Sequence, residues 1–342
     1  MKIYISKILD LPYLPILYPN LGFQTKGGFL FLNKGQNFFD KTFFDLVFEP
    51  EEADFLMLPH NYPLIKNQEN YLKEIIDLSK KLQKKIIVFV YGDSDGEVNI
   101  ENSVVFRTSQ YKFKKKFNEI IAPPFIEDLL ENTNISLREK KEKPRVGFCG
   151  FADIRGWKGK LKFWIKTFFA SREVYRQGIF FRKKAIKVLE KSNLVKTNFI
   201  LRDFYSGNLK TIKILPEIAR NEYINNLLNS DFVLAPKGDG NFSLRFFEAL
   251  SLGRIPVLID TECILPLEEV ANYDDFVLRI DYKNISNLDK IIFDFYDKLS
   301  DKDWENMQKM ARESFVNYLN VKSFYQLFFS DNGFLMKNYL NL

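Results

Sequence analysis

The stretch from Phe232 to Ile259, FVLAPKGDGNFSLRFFEALSLGRIPVLI, decides the fold. Phe232–Ala235 is an apolar run of strand length, and a loop containing Gly238 and Gly240 follows it. Residues 243–252 then carry apolar side chains at helical spacing, and Gly253 leads into a second apolar run, Ile255–Ile259. Strand, loop, helix and strand in this space form a βαβ unit, which builds a parallel sheet through a right-handed crossover. Ser243 is the residue type expected at a helix N-cap, and Gly253 fits the position just past the helix end.

The same alternation extends in both directions. Toward the N-terminus of this half, Arg145–Cys149 and Asn198–Leu201 read as strands and Pro216–Asn229 as a helix. Toward the C-terminus, Phe276–Ile280 reads as a strand, followed by helices near 286–299, 302–319 and 322–330. The first part of the chain repeats the pattern, with strands at Asp54–Leu58, Ile86–Tyr91 and Val104–Phe106 and a helix over Gln68–Lys84. The charged stretch EKKEKP at 139–144 has no apolar residue and reads as a linker. The expected architecture is α/β, with two Rossmann-like α/β/α domains facing across a cleft. The domains are expected at 1–142 and 143–310, with C-terminal helices at 311–342 crossing back to the first.

Composition narrows the chemistry. The chain has 342 residues, long enough for two apolar cores, and Lys+Arg exceeds Asp+Glu by 50 − 44 = 6. That mild positive charge suits a protein handling phosphates and argues against a nucleic-acid binder. The two cysteines, Cys149 and Cys263, make neither a disulfide framework nor a thiolate zinc site. His60 is the single histidine, so zincins and zinc deaminases are excluded, as is any histidine triad that His60 does not supply. No apolar run approaches bilayer-spanning length, and the N-terminus lacks a signal-peptide apolar core. The expected location is therefore cytoplasmic, with peripheral contact at the inner face of a membrane as an option.

In open parallel sheets, ligands bind beyond the carboxyl ends of the strands. The loop after Phe232–Ala235 joins flexible glycines to a helix N-terminus, a combination suited to a phosphate or diphosphate. Arg245 and Glu248 lie three apart on that helix. On a cleft-facing surface, Arg245 would neutralise a diphosphate and Glu248 would accept hydrogen bonds from ribose hydroxyls; on an exposed face they would form a weak ion pair.

The pattern LAPKGDG-NFSLRFFEALSLGRIPVLI, followed by LPLEEV, resembles the donor-site signature of exostosin-like glycosyltransferases of family 47, which adopt the GT-B fold. ADFLMLPHNY in the first half and VGFCG at the start of the second support the resemblance, which extends over roughly residues 50–330. It implies an inverting, metal-independent glycosyltransferase. The donor would be a nucleoside diphosphate sugar, UDP- or GDP-linked, and the acceptor an oligosaccharide or lipid-linked glycan. It also implies that Arg245 binds the diphosphate, Glu248 the ribose, and the loop Gly238, Gly240, Ser243 the phosphates. The compact chain suits bacterial-type surface polysaccharide or lipopolysaccharide synthesis better than heparan-sulfate synthesis. A non-catalytic glycan- or nucleotide-binding protein on the same scaffold is the alternative.

Other strand-end residues are candidates on position. Gly150 and Arg155 follow the strand RVGFC, and Arg202 follows Phe199–Leu201; both arginines could face donor phosphates. His60, after DFLML, would serve as the base for the acceptor hydroxyl or would fix its own loop. Asp93 and Asp95 in YGDSDG would act as base or acceptor contact, or would form a turn; a metal site there is disfavoured. Arg107 would meet an acidic acceptor or hold its loop. The basic run Lys112–Lys116 is a candidate for anionic lipid or a solvated surface.

Overall fold

The computed structural model describes residues 1–24, 39, 42–131, 134–152, 154 and 156–329. Among these, eleven strands form two wholly parallel sheets. The first is ordered β2-β1-β3-β4-β5-β6, from β1 (Lys2–Ile5), β2 (Asp45–Val47), β3 (Phe55–Asn61), β4 (Ile86–Val90), β5 (Ser103–Arg107) and β6 (Glu119–Ile121). The second is ordered β11-β10-β9-β7-β8, from β7 (Arg145–Phe151), β8 (Lys196–Arg202), β9 (Phe232–Ala235), β10 (Ile255–Asp260) and β11 (Leu278–Asp281). Central strands are buried on both faces: every residue of β4, β5 and β9 is buried, which accounts for their near-continuous apolar sequence. Two parallel sheets with covering helices constitute the GT-B-like arrangement.

The described helices are α1 (Tyr18–Leu21), α2 (Tyr62–Ile65), α3 (Glu69–Leu82), α4 (Trp157–Phe168), α5 (Gly178–Glu190), α6 (Pro216–Leu228), α7 (Leu244–Ser251), α8 (Leu288–Lys298), α9 (Asp301–Ser314) and α10 (Val321–Phe329). α3 buries Tyr71, Leu72, Ile75 and Ser79, one face at helical spacing, and ends where Gln83 turns left-handed at φ 55°. Gly253 takes φ 63° just past α7 and donates its N–H to the Leu250 carbonyl at 2.9 Å. α9 starts at a capping box between Ser300 and Asp303.

Three features differ from the sequence expectations. The helix expected over 302–319 is α9 followed by a π-helical turn at Phe315–Leu319. The 139–144 stretch is a pinned connection. The preceding residue Arg138 pairs with Asp231, and its carbonyl accepts from Trp304 Nε1 at 2.9 Å; the Lys141 N–H donates to the Tyr296 hydroxyl at 2.7 Å. Helices α4 and α5 occupy a region where charge density had obscured the apolar period.

The last described helix, α10, belongs to the first domain's core. Val321, Phe324, Tyr325, Phe328 and Phe329 pack with Ile3, Phe89, Phe106 and Ile120, and the Tyr325 and Tyr91 hydroxyls lie 2.7 Å apart. Residues 330–342 lie outside the described residues.

Candidate functional site

The carboxyl ends of the two sheets face each other, and direct hydrogen bonds join them. After β4, the loop holding Asp93 is set by Gly92, at φ 96°, whose N–H donates to the Thr108 hydroxyl at 3.0 Å. The fully buried Arg107 pairs with Glu119 and donates to the carbonyls of Ser94 (3.0 Å), Gly96 (3.1 Å) and Ser109 (2.9 Å). Of its two sequence readings, Arg107 takes the loop-holding one. Asp93 Oδ1 then accepts the Gly240 N–H of the second domain at 2.9 Å. Burial raises the Asp93 carboxyl above the usual range; the Gly240 N–H works against the shift and Asp239 adds to it.

The glycine loop therefore differs from the expected phosphate cradle. Its amides are engaged within the protein: Gly238 N–H to Phe242 O at 2.9 Å, Gly240 N–H to Asp93, and Asn241 N–H to Ser109 Oγ at 2.8 Å. Glycine at 240 is required for the close approach of the two domains, because a Cβ there would lie 2.7 Å from Asp93 Cα. Lys237 completes the seam. Its buried ammonium donates to the Tyr111 hydroxyl at 3.0 Å and the Val174 carbonyl at 2.5 Å, and burial lowers it to about 8.

Beside this seam lie two arginines of another kind. Arg245, in the first turn of α7, donates from Nη2 to the Cys149 carbonyl at 2.9 Å, with its guanidinium 4.3 Å from the Phe148 ring centroid. Gly150, at φ 149°, admits it: a Cβ there would stand 3.0 Å from Nη2. Arg182, on α5, donates from Nη1 to the Phe151 carbonyl. The Nε of each is buried without a hydrogen-bond partner, and no carboxylate among the described residues forms an ion pair with either. Burial lowers Arg182 to about 9, and Arg245 pushes it in the same direction, opposed by Asp239 and Tyr205. Two partly desolvated cations without an ion-pair partner among the described residues leave positive charge unmatched at this strand end.

The surrounding groups share this field. Burial raises the Tyr205 hydroxyl, Glu248 and Asp93 add to the shift, and Arg245 and Arg182 oppose it. Glu248 makes no ion pair with Arg245. It accepts from Arg220 Nη1 at 2.9 Å and from the Tyr223 hydroxyl, so α6 fixes its orientation. Ser243 occupies the N-cap position of α7, but its hydroxyl makes no bond back to the helix.

Three other candidates have different roles. His60 is completely buried. Its Nδ1 lies 3.0 Å from the Pro12 carbonyl and its Nε2 accepts the Leu9 N–H at 2.9 Å, so the ring is a neutral tautomer fixing the loop after β1; burial lowers its basicity. With both nitrogens engaged it is not placed as the acceptor base. Arg202 is buried and bonded to Glu222 (2.7 Å), Ser206 (2.8 Å) and the Ala219 carbonyl (3.3 Å), so its charge is neutralised locally and does not face a donor. Asp95 forms an ion pair with Lys114 at 2.6 Å, in place of a catalytic contact. Arg155 lies outside the described residues. Among the described residues, no group of three or more His, Cys, Asp or Glu is arranged to hold a metal ion. None of their helices is long and apolar enough to cross a membrane.

Arg182 is the residue that sequence reasoning missed, because it sits in the basic run FFRKKAIK of α5. One signal was available. Gly178 opens α5, and a Cβ there would come within 2.1 Å of the Lys237 carbonyl oxygen, so glycine lets the helix carrying Arg182 seat against the loop.

The fold and site together define a two-sheet parallel α/β protein with partly buried arginines at facing strand ends. Residues 171–294 match the model of the Exostosin GT47 domain. The matched stretch includes Arg182, Tyr205, Tyr223, Arg245 and Glu248. A probable glycosyltransferase of Arabidopsis thaliana is 30% identical over 96 residues, covering 28% of this chain; the alignment spans about a fifth, 20%, of that relative's length. Among solved structures, HepE of Anabaena in complex with UDP aligns over 85% of this chain and 80% of its own, at 11% identity and TM-score 0.39. A variant of S. aureus TarM in complex with Fondaparinux, alpha-GlcNAc-glycerol and UDP aligns over 80% of this chain and 59% of its own, at 12% identity and TM-score 0.34.

Proposed function

We propose that this chain transfers a sugar from a nucleoside diphosphate sugar to a glycan hydroxyl, with inversion and without a bound metal. The proposed setting is surface polysaccharide or lipopolysaccharide synthesis. The observation that carries the reading is the pair Arg182 and Arg245, two half-buried arginines with buried, unpartnered Nε atoms and no ion pair to a carboxylate among the described residues. The Exostosin GT47 match over 171–294 supports the class of reaction.

The diphosphate would lie against Arg182 and Arg245, with the Ser243 hydroxyl and the first turn of α7 completing the anion site. Glu248 would receive the ribose hydroxyls, since each of its oxygens keeps a lone pair beside the bonds from Arg220 and Tyr223. As the bond between the anomeric carbon and the diphosphate oxygen breaks, its electron pair goes to the diphosphate, and the two guanidinium groups stabilise the added charge. This is the role a divalent cation would otherwise fill. The acceptor oxygen forms the new bond from the opposite face, and its proton passes to Asp93, whose raised basicity and place at the seam suit it as the base.

The test is a thermal-shift and turnover panel of UDP, GDP and their sugars. A selective rise in melting temperature with one nucleoside diphosphate, and sugar transfer that persists in excess EDTA, are expected. Absence of any shift, or turnover that requires added divalent cation, would refute the reading.

A further inference from the structure

Away from this pocket, the second domain carries an apolar surface that the described chain leaves uncovered. α4 and the residue after it run WKGKLKFWIKTFF, with four lysines and no carboxylate. The face toward the protein consists of Gly159, Phe163 and Thr167, each partly buried. The opposite face presents Trp157, Leu161, Trp164 and Phe168 at spacings of four, three and four, and these are 71%, 52%, 68% and 78% exposed. Of the protein's three tryptophans, the third, Trp304, is 1% exposed. By helical period, Lys158 and Lys162 flank this stripe on one side and Lys160 on the other, and all three are solvent-exposed.

The run Lys112–Lys116 is quite different. Lys112, Lys114 and Lys116 lie 3.6, 2.6 and 3.6 Å from Asp260, Asp95 and Glu97, so that patch is largely neutralised. Lys158, Lys160 and Lys162 form no ion pair with a described residue.

We propose that α4 is an interfacial anchor that lies flat on an anionic lipid bilayer, its Trp–Leu–Trp–Phe stripe entering the acyl boundary and its lysines meeting the headgroups. A bilayer surface matches both halves of the helix at once: it takes an apolar stripe along the whole length and offers negative charge on both flanks. A protein groove would need carboxylates aligned along two parallel edges. Tryptophan and lysine together at the margin of an apolar face are the residue pair suited to the membrane–water boundary. Along the chain, five residues, 152–156, separate the end of β7, whose Cys149 carbonyl accepts from Arg245, from Trp157.

The test uses the intact protein with vesicles of phosphatidylcholine alone, or with about one-third phosphatidylglycerol. Wild type is expected to sediment with the anionic vesicles, less so as salt rises, with blue-shifted tryptophan emission and quenching by brominated lipid. The double variant Trp157→Ser/Trp164→Ser is expected to bind about 10-fold or more weakly. Lys160→Glu is expected to bind anionic vesicles about 5-fold more weakly, with its melting temperature unchanged. Wild type remaining in the supernatant at every lipid concentration, or full binding by the double variant, overturns the proposal. So does a concentration-dependent dimer that the double variant abolishes, since that result assigns the face to a second copy of the chain. The quenching measurement needs no variant and stands even where a substitution disturbs folding.

Discussion

The two strand-end rims use charge in opposite ways. On the first sheet, Arg107 is matched by Glu119, Asp95 by Lys114, and both nitrogens of His60 are engaged in its own loop. On the second, Arg182 and Arg245 are left with backbone carbonyls and ring faces. A buried cation matched by a carboxylate holds shape; a half-buried cation matched by none keeps its charge available. The first rim is thus a fixed frame and the second carries the unmatched charge, with Asp93 reaching from one to the other.

Substitutions that sever this contrast should have unequal effects. Arg107→Met is expected to be the most damaging: it leaves Glu119 buried without its counter-ion and releases the Asp93 loop, costing about 3–5 kcal/mol of stability by denaturant unfolding. Arg245→Gln is expected to raise the transfer barrier by about 2–4 kcal/mol in kcat/KM and to abolish the melting-temperature response to nucleoside diphosphate. The ligand-free protein should lose no stability, and the same holds for Arg182→Gln, because either change relieves an unmatched charge. A fall in stability comparable to Arg107→Met would erase the distinction between the rims. His60→Leu should cost about 1–3 kcal/mol of stability, from the orphaned Leu9 N–H and Pro12 carbonyl, while kcat stays within about twofold.

The last of these effects shows only as a pH dependence, and it belongs to Lys237. Its ammonium is lowered to about 8 in the folded state against 10.5 as the ordinary value, so between these values the unfolded chain binds more protons than the folded one. Folding stability contributed by this group therefore rises with pH across that window, and Lys237→Met should remove the slope in paired urea titrations between about pH 8 and 10. An identical slope in both proteins would place the titration elsewhere.

How far the sequence could be read follows from the same physics. The central strands were visible because burial on both faces makes them continuous apolar runs, as at Ile86–Val90 and Phe232–Ala235. The short edge strand Asp45–Val47 lacks such a run and was missed. α4 was missed because its apolar period points outward, among lysines. At the site, Arg245 could be found from its place on a helix following a glycine loop. Whether that loop's amides were free could not be found, since Asp93 and Ser109, which occupy two of them, lie more than a hundred residues away. Arg182 was indistinguishable from its basic neighbours until the fold brought α5 against the loop after β9.

α10 sets an order on events during synthesis. The first sheet emerges from the ribosome early, yet Phe324, Tyr325, Phe328 and Phe329 complete its interior. Until residues 321–329 have emerged, Phe89 and Phe106 lack part of their cover, whereas the second sheet already has all its strands. The domain translated first is therefore finished last, and the nascent chain exposes an aromatic surface to chaperones for most of its translation.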